Sequence, residues 1–299
     1  MIELNNVTKK FDDYTALNSI NLKLEQGNIY GLVGTNGSGK STMLRLIAGV
    51  YKSNLGSVTL DGEGIFDNFK AKSRIFFVSD DLYFHPQATL DNMAAFYKNA
   101  YPRWNNERYL KLCDAFPIGR KKRLSTFSKG MRRQAAFILA LSSSPDFLLL
   151  DEAFDGLDPV IRHAVRQLIS DIISESNLTV VISSHNLREL EDFCDKVCLL
   201  HNGSFVLNSS MDSVHLGFSK IQVAFKPMPK VIALDGIKIL SQNTKGSVAT
   251  IVCACGEEKA MEEIQKLSPI FCESISLTLE ELFIYEMEAV GYDYSNIIF

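Results

Sequence analysis

One segment of eight residues limits the possible fold more than any other feature of the chain. It reads GTNGSGKS from Gly34 to Ser41, with an apolar strand, Asn28 to Val33, before it and a helix, Thr42 to Ala48, after it. Its glycines let the backbone curl, so that successive N–H groups and the positive end of the helix point at one anion. Strand, loop and helix in this order predict a phosphate-binding loop.

The side chains of this loop suit a nucleoside triphosphate. Lys40 would neutralise charge on the outer phosphates, and the Ser41 hydroxyl is a ligand for magnesium. We therefore predict that the chain binds ATP with Mg²⁺. The predicted ATP-binding residues of the loop are Gly34, Thr35, Asn36, Gly37, Ser38, Gly39, Lys40, Ser41 and Thr42.

Short β-rich runs alternate with segments of helical periodicity from Met1 to about residue 210. This alternation is typical of an α/β domain with a mainly parallel sheet, here preceded by N-terminal antiparallel strands. Strand patterns disappear between Pro86 and Ser143, where apolar residues recur at helical spacing, and we predict an inserted helical subdomain at about 86–143. The predicted central strands are Asn28–Val33, Ile75–Val78, Phe147–Leu150 and Thr179–Ser183.

Two carboxylates, Asp151 and Glu152, end the apolar run Phe147 to Leu150. A buried parallel strand would carry both to the carboxyl edge of the sheet, where ligands bind in such folds. Asp151 then suits the magnesium shell, and Glu152 is placed to polarise a water in line with the terminal phosphate. The alternative is an acidic pair that caps a helix and has no catalytic role.

A third segment, Ser128 to Gln134, reads SKGMRRQ and opens a helix. It offers a serine hydroxyl and free N–H groups at a positive dipole end, which alone indicates only a helix cap. Together with the phosphate loop and the two carboxylates, it resembles the signature segment of ABC ATPases, which begins with serine and contains glycine. The resemblance covers residues 1 to about 210 and implies the P-loop ABC ATPase fold and ATP hydrolysis.

The resemblance also gives roles to residues that match the family pattern. It implies that Phe11 stacks on adenine and that His185 is the switch histidine, which hydrogen-bonds transition-state charge near the terminal phosphate. The signature residues, which would contact the ATP of a partner subunit, are Ser128, Lys129, Gly130 and Met131. The residues that match the D-loop are Asp155, Gly156, Leu157 and Asp158.

In this family the signature of one subunit completes the phosphate site of another. The resemblance therefore implies a homodimer or a pair with a paralogous ATPase subunit, and a separate integral-membrane permease that hydrolysis drives. No run reaches the ~18 apolar residues of a membrane-spanning helix, and the N-terminus lacks the pattern of a signal peptide. We expect a cytoplasmic protein, peripheral on the inner face of the membrane through its permease.

The sequence departs from the common family pattern at three places. Asp80 stands where glutamine is usual, and an aspartate can still accept from water or approach magnesium, so we predict a catalytic and metal-binding role for it. Lys129 and Met131 give a signature that resembles the ABC-2-like exporter branch, including bacterial Ytr-type ATPases, which favours export. Asp155 replaces a serine and adds a charge near the expected dimer seam.

The region from Met211 onward changes to a βαβ-like pattern followed by an amphipathic helix at 277–288. We predict a second domain at 211–299, an accessory α+β domain with a role in dimerisation or regulation. Packing of its helix within the same chain is the open alternative. The tail from Tyr292 to Phe299 is apolar, and we expect it to pack on a partner.

Charge and cysteine content argue against two further kinds of ligand. A net charge of −4 and a pI near 5.8 give no basic surface for nucleic acid. The alternative function, a non-transport ABC ATPase acting on nucleic acid or the ribosome, is therefore disfavoured. The six cysteines lack a paired CxxC arrangement, so we expect reduced thiols and assign no metal to them.

Overall fold

The computed structural model describes residues 1–116, 118–229 and 232–289. The chain forms two compact units. Unit 1 comprises Met1–Asn186 and Phe193–Asn208, and unit 2 comprises Leu187–Asp192 and the residues from Ser209 onward. Residues 187–192, which begin two residues after His185, therefore belong to unit 2, although they lie within the first domain predicted from the sequence.

Unit 1 contains two sheets. An antiparallel sheet has the order β2-β1-β4-β5, with strands β1 (Ile2–Phe11), β2 (Tyr14–Leu24), β4 (Leu55–Leu60) and β5 (Glu63–Gly64). A six-stranded sheet has the order β10-β9-β3-β8-β7-β6, with strands β3 (Ile29–Val33), β6 (Ile75–Val78), β7 (Phe147–Asp151), β8 (Thr179–Ser183), β9 (Lys196–His201) and β10 (Ser204–Ser210). Its strands β6, β7, β8, β3 and β9 are parallel. Every residue of β3, β7 and β8 is buried, which explains their continuous apolar runs.

Of the six α-helices in the described part of unit 1, all except the first begin at a residue whose side chain caps the helix. The six are α1 (Lys40–Ile47), α2 (Phe69–Lys72), α3 (Leu90–Ala100), α4 (Asn106–Ala115), α5 (Lys129–Ser142) and α6 (Pro159–Ser176). Thr89 and Asn92 form a reciprocal capping box at α3, and Asp158 caps α6 ahead of a proline at the first helical position. Helices α3 to α5 fill the predicted helical insertion. The predicted α/β class, with a mainly parallel core and N-terminal antiparallel strands, is confirmed.

Unit 2 contains a second antiparallel sheet, of order β12-β13-β11-β14. Its elements are α7 (Leu187–Glu191), α8 (Met211–Gly217), β11 (Ser219–Ala224), β12 (Ile239–Lys245), β13 (Val248–Cys253), α9 (Glu257–Gln265), β14 (Phe271–Ile275) and α10 (Leu279–Ala289). Strands β13 and β14 both run antiparallel to β11, so they are parallel to each other with β11 between them. The βαβ-like pattern is thus a split βαβ unit.

Three predictions concern the chain as a whole. All six cysteines are unpaired thiols. None of the helices in the described ranges has both the length and the apolar character that crossing a membrane requires. The predicted packing of the tail from Tyr292 to Phe299 on a partner falls outside the described residues.

Candidate functional site

The phosphate loop joins β3 to α1 and holds its lysine inward. The Lys40 ammonium is buried and donates to the carbonyl oxygens of Gly34, at 2.7 Å, and Thr35, at 3.2 Å. Burial lowers the pKa of Lys40 below its usual value, while the nearby carboxylates of Glu152 and Asp151 act in the opposite direction. A phosphate would give this desolvated ammonium a stronger partner than the loop carbonyls do.

Backbone geometry explains why the loop needs glycine at its last turn before α1. Gly39 has φ +110°, and an added Cβ would lie 2.7 Å from both the carbonyl oxygen of Ala16 and a methyl carbon of Leu17. Any side chain at this position would displace backbone as well as strain φ. The first turn of α1 can therefore lie close to the start of β2 only with glycine there.

Asp151 ends β7 beside the first turn of α1. Its Oδ1 atom accepts from the hydroxyls of Ser41, at 3.0 Å, and Ser183, at 2.7 Å. Its Oδ2 atom is buried without a hydrogen-bond partner among the described residues. A carboxylate with one unsatisfied oxygen beside a serine hydroxyl is a set of hard oxygen donors, which fits Mg²⁺.

Glu152 turns sharply away from the strand. It has φ +46°, a left-handed conformation that is costly for a glutamate, and its N–H donates to both the carbonyl and the hydroxyl of Ser183. Its Oε2 lies 2.9 Å from Nδ1 of His185. Asp155 is close as well, since one ligand atom from each of Glu152, Asp155 and His185 lies within 4.8 Å of the other two.

The carboxylate of Asp80 is held by an arginine of the signature helix. Arg133 is completely buried, and it donates from Nη2 to Asp80 Oδ1 at 2.6 Å and from Nη1 to the carbonyl of Ser79 at 2.9 Å. The Asp80 side chain itself is 56% exposed. The predicted catalytic and metal-binding role of Asp80 stays a prediction, and the structure gives its carboxylate a different partner.

The signature segment begins α5 as its sequence indicates. Ser128 is the N-cap, and its hydroxyl accepts from the backbone N–H of Met131 at 3.2 Å. Gly130 lies against the predicted D-loop, because an added Cβ would be 2.8 Å from the carbonyl oxygen of Gly156. Lys129 lines an open cleft of about 400 Å³ together with Asp80, Asp81, Leu82, Arg132 and Arg133.

The aromatic predicted to stack on adenine lies at the end of β1. Phe11 is 39% exposed and meets Tyr51 edge to face, with ring centroids 5.3 Å apart. The Lys9 ammonium lies 4.9 Å from the Phe11 ring centroid. A half-exposed ring with a fixed orientation is suited to stacking on a nucleobase.

The structure brings most predicted residues of the hydrolytic site together. Lys40, Ser41, Asp151, Glu152, Asp155 and His185 form one group joined by the contacts described above. Sequence reasoning missed Ser183, Arg133 and Tyr14, whose hydroxyl donates to the carbonyl of Gly37 at 3.1 Å. Only Ser183 had a sequence signal, since it is the last residue of a predicted central strand; the structure places it directly opposite Asp151.

Comparisons with known proteins match this arrangement. The family model described as ABC transporter matches residues 17–155. The ABC transporter ATP-binding protein YtrB of Bacillus subtilis is 30% identical over 95% of this chain and 97% of its own length. The bacitracin transport ATP-binding protein BcrA of Bacillus licheniformis is 30% identical over 69% of this chain and 68% of its own.

Among solved structures, a dimeric post-hydrolysis state of the ATP-binding cassette MJ0796, bound to ADP and Pi, is similar to this chain. It is 26% identical with a TM-score of 0.64, and the match covers 71% of this chain and 99% of that one. These relatives support the transport reading and give no support to the alternative function on nucleic acid or the ribosome.

Proposed function

This chain belongs to the ABC transporter family as an ATP-binding, ATP-hydrolysing subunit, and from that premise we propose which residues carry its chemistry and which partners it needs. In the proposal, ATP lies along Gly34–Thr42 with its adenine on Phe11. Glu152 is the general base and His185 the switch residue. Asp155 to Asp158 form the D-loop beside them.

The observation that carries this proposal is the shared carboxyl end of β7 and β8. It presents Asp151, with one unsatisfied oxygen, next to Glu152, which is hydrogen-bonded to His185. Ser183 supports both residues, since its hydroxyl donates to Asp151 and accepts from the Glu152 N–H. A carboxylate fixed in this way is positioned to take a proton from a water that attacks the terminal phosphate.

Ser41 and Asp151 would hold Mg²⁺, which would supply positive charge to the phosphates when it is bound. Lys40 would neutralise charge on the outer phosphates. Its contacts to loop carbonyls would be exchanged for contacts to the phosphates. His185 would hold the pair with Glu152 and hydrogen-bond charge that develops on the terminal phosphate.

Proteins of this family dimerise and act with a membrane subunit. We infer that two copies of this chain, or this chain and a paralogue, close over two ATP molecules. Ser128, Lys129, Gly130 and Met131 of one subunit would then meet the terminal phosphate bound by the other. Closure would drive a separate permease in the direction of export, and would hold the ATPase at the inner face of the membrane.

The second domain, 211–299, is proposed to act in dimerisation or regulation. Its support is that the match to YtrB covers 95% of this chain and therefore extends well past residue 210. The relative that shares both regions is named an ABC transporter ATP-binding protein. A role in dimerisation or regulation of an ATP-binding subunit would explain why both domains occur in one chain.

The test is the Glu152→Gln variant, which keeps the shape of the side chain and removes its basicity. We expect ATP hydrolysis with Mg²⁺ to fall by about 100-fold or more, with ATP binding retained. On sizing with ATP and Mg²⁺, the variant should elute as a stable dimer. Glu107→Gln, an exposed carboxylate on α4, is the matched control and should hydrolyse ATP like the wild type.

Two results would count against the proposal. Hydrolysis near the wild-type rate in Glu152→Gln would show that Glu152 is not the general base. A monomer in the presence of ATP, at concentrations where the nucleotide is bound, would exclude a composite site made by two copies of this chain and leave only a pair with a paralogue. The two results are independent, so each part of the proposal can fail alone.

A further inference from the structure

Unit 2 contains a cavity of about 530 Å³ that belongs to no part of the ATP site. It lies among α7, α8, α10 and the adjoining ends of β11 and β14. Apolar side chains of Met211, Val214, Leu279 and Leu282 line part of it, and all four are buried. A volume of this size falls in the range of small-molecule sites, which combine an apolar wall with a few polar groups.

The polar part of the lining is acidic. Glu191, Asp192 and Glu257 line the cavity, and Asp192 and Glu257 are exposed at its rim. Lys220 also lines it, but its ammonium donates to Glu281 Oε1 at 2.6 Å and its side chain is only 17% exposed. The positive charge of Lys220 is thereby neutralised within the fold, which leaves the carboxylates of Asp192 and Glu257 as the exposed charged groups at the cavity.

A buried hydroxyl provides an independent sign of a ligand site. Ser219 lines the cavity and is 4% exposed, and among the described residues its Oγ has no hydrogen-bond partner stronger than the Cys253 thiol. Its partner across the strand pair is Cys253, whose thiol is at best a weak hydrogen-bonding group. A buried hydroxyl without a strong partner is unusual in a folded protein, and a ligand donor or acceptor would satisfy it.

The arrangement fits an organic cation better than a metal ion. Within residues 1–116, 118–229 and 232–289, the one group of three or more side chains able to converge on a metal is Glu152, Asp155 and His185. The cavity carboxylates are therefore spread around a larger space. Spread negative charge and an apolar wall suit a protonated amine carried on an apolar body.

The cavity is also tied to the segment that follows the switch histidine. Helix α7 begins two residues after His185, at Leu187, and its last residue, Glu191, lines the cavity. Glu191 Oε1 accepts from the N–H of Leu279 at the start of α10, at 3.1 Å. Arg188 Nε donates to Glu280 on α10 at 3.2 Å. A ligand between α7 and α10 would change how firmly this segment is held.

We propose that this cavity binds a small organic cation and that its occupation regulates ATP hydrolysis through α7. The binding part stands on unit 2 alone, whereas the regulatory part rests on the proposed role of His185. A ligand that holds α7 against α10 would alter the freedom of His185, which lies two residues before α7 in the chain. Such coupling needs a difference in ligand affinity between two states of this segment.

The binding test uses three indoles that differ in charge: tryptamine, a cation; tryptophol, a neutral alcohol; and indole-3-acetate, an anion. Each is titrated into the full chain by calorimetry. We expect tryptamine to bind at least about fivefold more tightly than tryptophol, and indole-3-acetate to bind most weakly. Equal binding of cation and alcohol, or no binding of tryptamine up to about 10 mM, would overturn the site.

The variant test removes negative charge from the rim without disturbing Glu191, which anchors α10. Asp192→Asn combined with Glu257→Gln should weaken tryptamine binding by about fivefold and leave tryptophol unchanged. Glu258→Gln is the matched control, since Glu258 is exposed on α9 next to Glu257 and does not line the cavity. An unchanged tryptamine affinity in the double variant would overturn the assigned residues.

The regulatory test measures kcat for ATP at saturating tryptamine. We expect a change of about twofold or more in the wild type and none in the double variant. Binding without any change in kcat would overturn regulation and leave the binding site. His185→Ala separates the two proposals: hydrolysis at the wild-type rate in that variant refutes the proposed switch role, whatever tryptamine does.

Discussion

Units 1 and 2 present their polar groups in different ways. In unit 1 the groups proposed to react lie in short motifs of consecutive residues, in the loop before α1 and at the ends of β7 and β8. In unit 2 the cavity takes residues from α7, α8, β11, α9, the end of β14 and α10, and its longest run of consecutive residues, 274–279, has no charged side chain. Short motifs with chemical groups can be recognised in a sequence, whereas a site without them needs the fold.

The relatives differ in the same way. The ATP-binding cassette MJ0796 matches 71% of this chain, while YtrB matches 95%. Most of the chain is thus shared with a cassette of known structure, and nearly all of it is shared with YtrB. This contrast indicates that an ATP-binding cassette needs less than the whole chain, and that the additional residues are shared with a relative of nearly the same length.

The largest expected effect tests how strictly unit 1 depends on its backbone. Gly39→Ala would put a methyl group 2.7 Å from the Ala16 carbonyl oxygen at φ +110°. We expect ATP affinity to fall by about 100-fold in equilibrium binding, since the loop must move off the phosphates. Gly37→Ala is the control, with φ +80° but open space around its Cβ, and should cost about fivefold. Equal losses would show that strain alone matters.

Much of unit 1 could be predicted because buried parallel strands appear in the sequence as continuous apolar runs. Phe147 to Leu150 is apolar throughout, as a strand covered on both faces must be, and the polar residue that follows it stands at the ligand edge. The strand bounds Ile75–Val78 and Thr179–Ser183 were predicted without error for the same reason. The roles of Phe11 and His185 came from family resemblance and stay predictions.

Other features of the molecule have no recognisable pattern in the sequence. Arg133 follows Arg132 in a helix, and only the fold shows that it is completely buried and reaches Asp80. Strand β12, Ile239–Lys245, escaped prediction because it is mostly polar and lies at the edge of its sheet. Polar edge strands lack the apolar pattern on which strand prediction depends.

The second effect tests whether the two units unfold independently. Leu282 on α10 is fully buried, and Leu282→Ala should lower the free energy of unfolding of unit 2 by about 2–5 kcal/mol. Trp104, the only tryptophan, lies in unit 1, so its fluorescence reports unit 1 alone. In urea, we expect the Trp104 midpoint to stay constant while a circular-dichroism transition shifts.

The control for Leu282→Ala is Ile284→Ala, which shortens a side chain that is 37% exposed on the same helix. It should cost no more than about 1 kcal/mol. A Trp104 midpoint that moved together with the circular-dichroism transition in Leu282→Ala would show that the units unfold as one. Units 1 and 2 would then differ in their sequence relatives but not in their unfolding.

The third effect concerns the replaced residue Asp80. Asp80→Ala leaves the buried Arg133 guanidinium with Ser79 as its acceptor, whereas Arg133→Met combined with Asp80→Ala removes the buried charge as well. We expect the single Asp80 variant to lose about 1–3 kcal/mol of stability by Trp104 fluorescence, and the double variant to lose less. Asp81→Ala is the control for loss of a neighbouring carboxylate.

The same variants decide what Asp80 does in the ATP site. If Asp80 is a magnesium ligand, as its position predicts, Asp80→Ala raises the Mg²⁺ concentration needed for half-maximal hydrolysis and Arg133→Met does not. If the role of Asp80 is to pair with the buried Arg133, both variants lower kcat by a similar factor and leave the Mg²⁺ requirement unchanged. A result in which the two losses simply add would separate Asp80 from Arg133 altogether.

The smallest effect is a pH dependence confined to unit 2. Burial acts to raise the pKa of Glu281, but hydrogen bonds from Lys220 and from Thr278 outweigh it and leave the pKa below its ordinary 4.5. Because the pKa of Glu281 is lowered by folding, its ionised carboxylate stabilises the folded state fully above pH 4.5. This stabilisation is lost as the pH falls through the lower pKa of the folded state. Because Glu281 is about a third exposed, we expect the loss to be about 0.5 kcal/mol.

Glu281→Gln should reduce the acid dependence of the unit 2 unfolding transition, whereas the control Glu258→Gln should leave it unchanged. The same acid dependence in both variants would show that Glu281 does not contribute to the stability of α10.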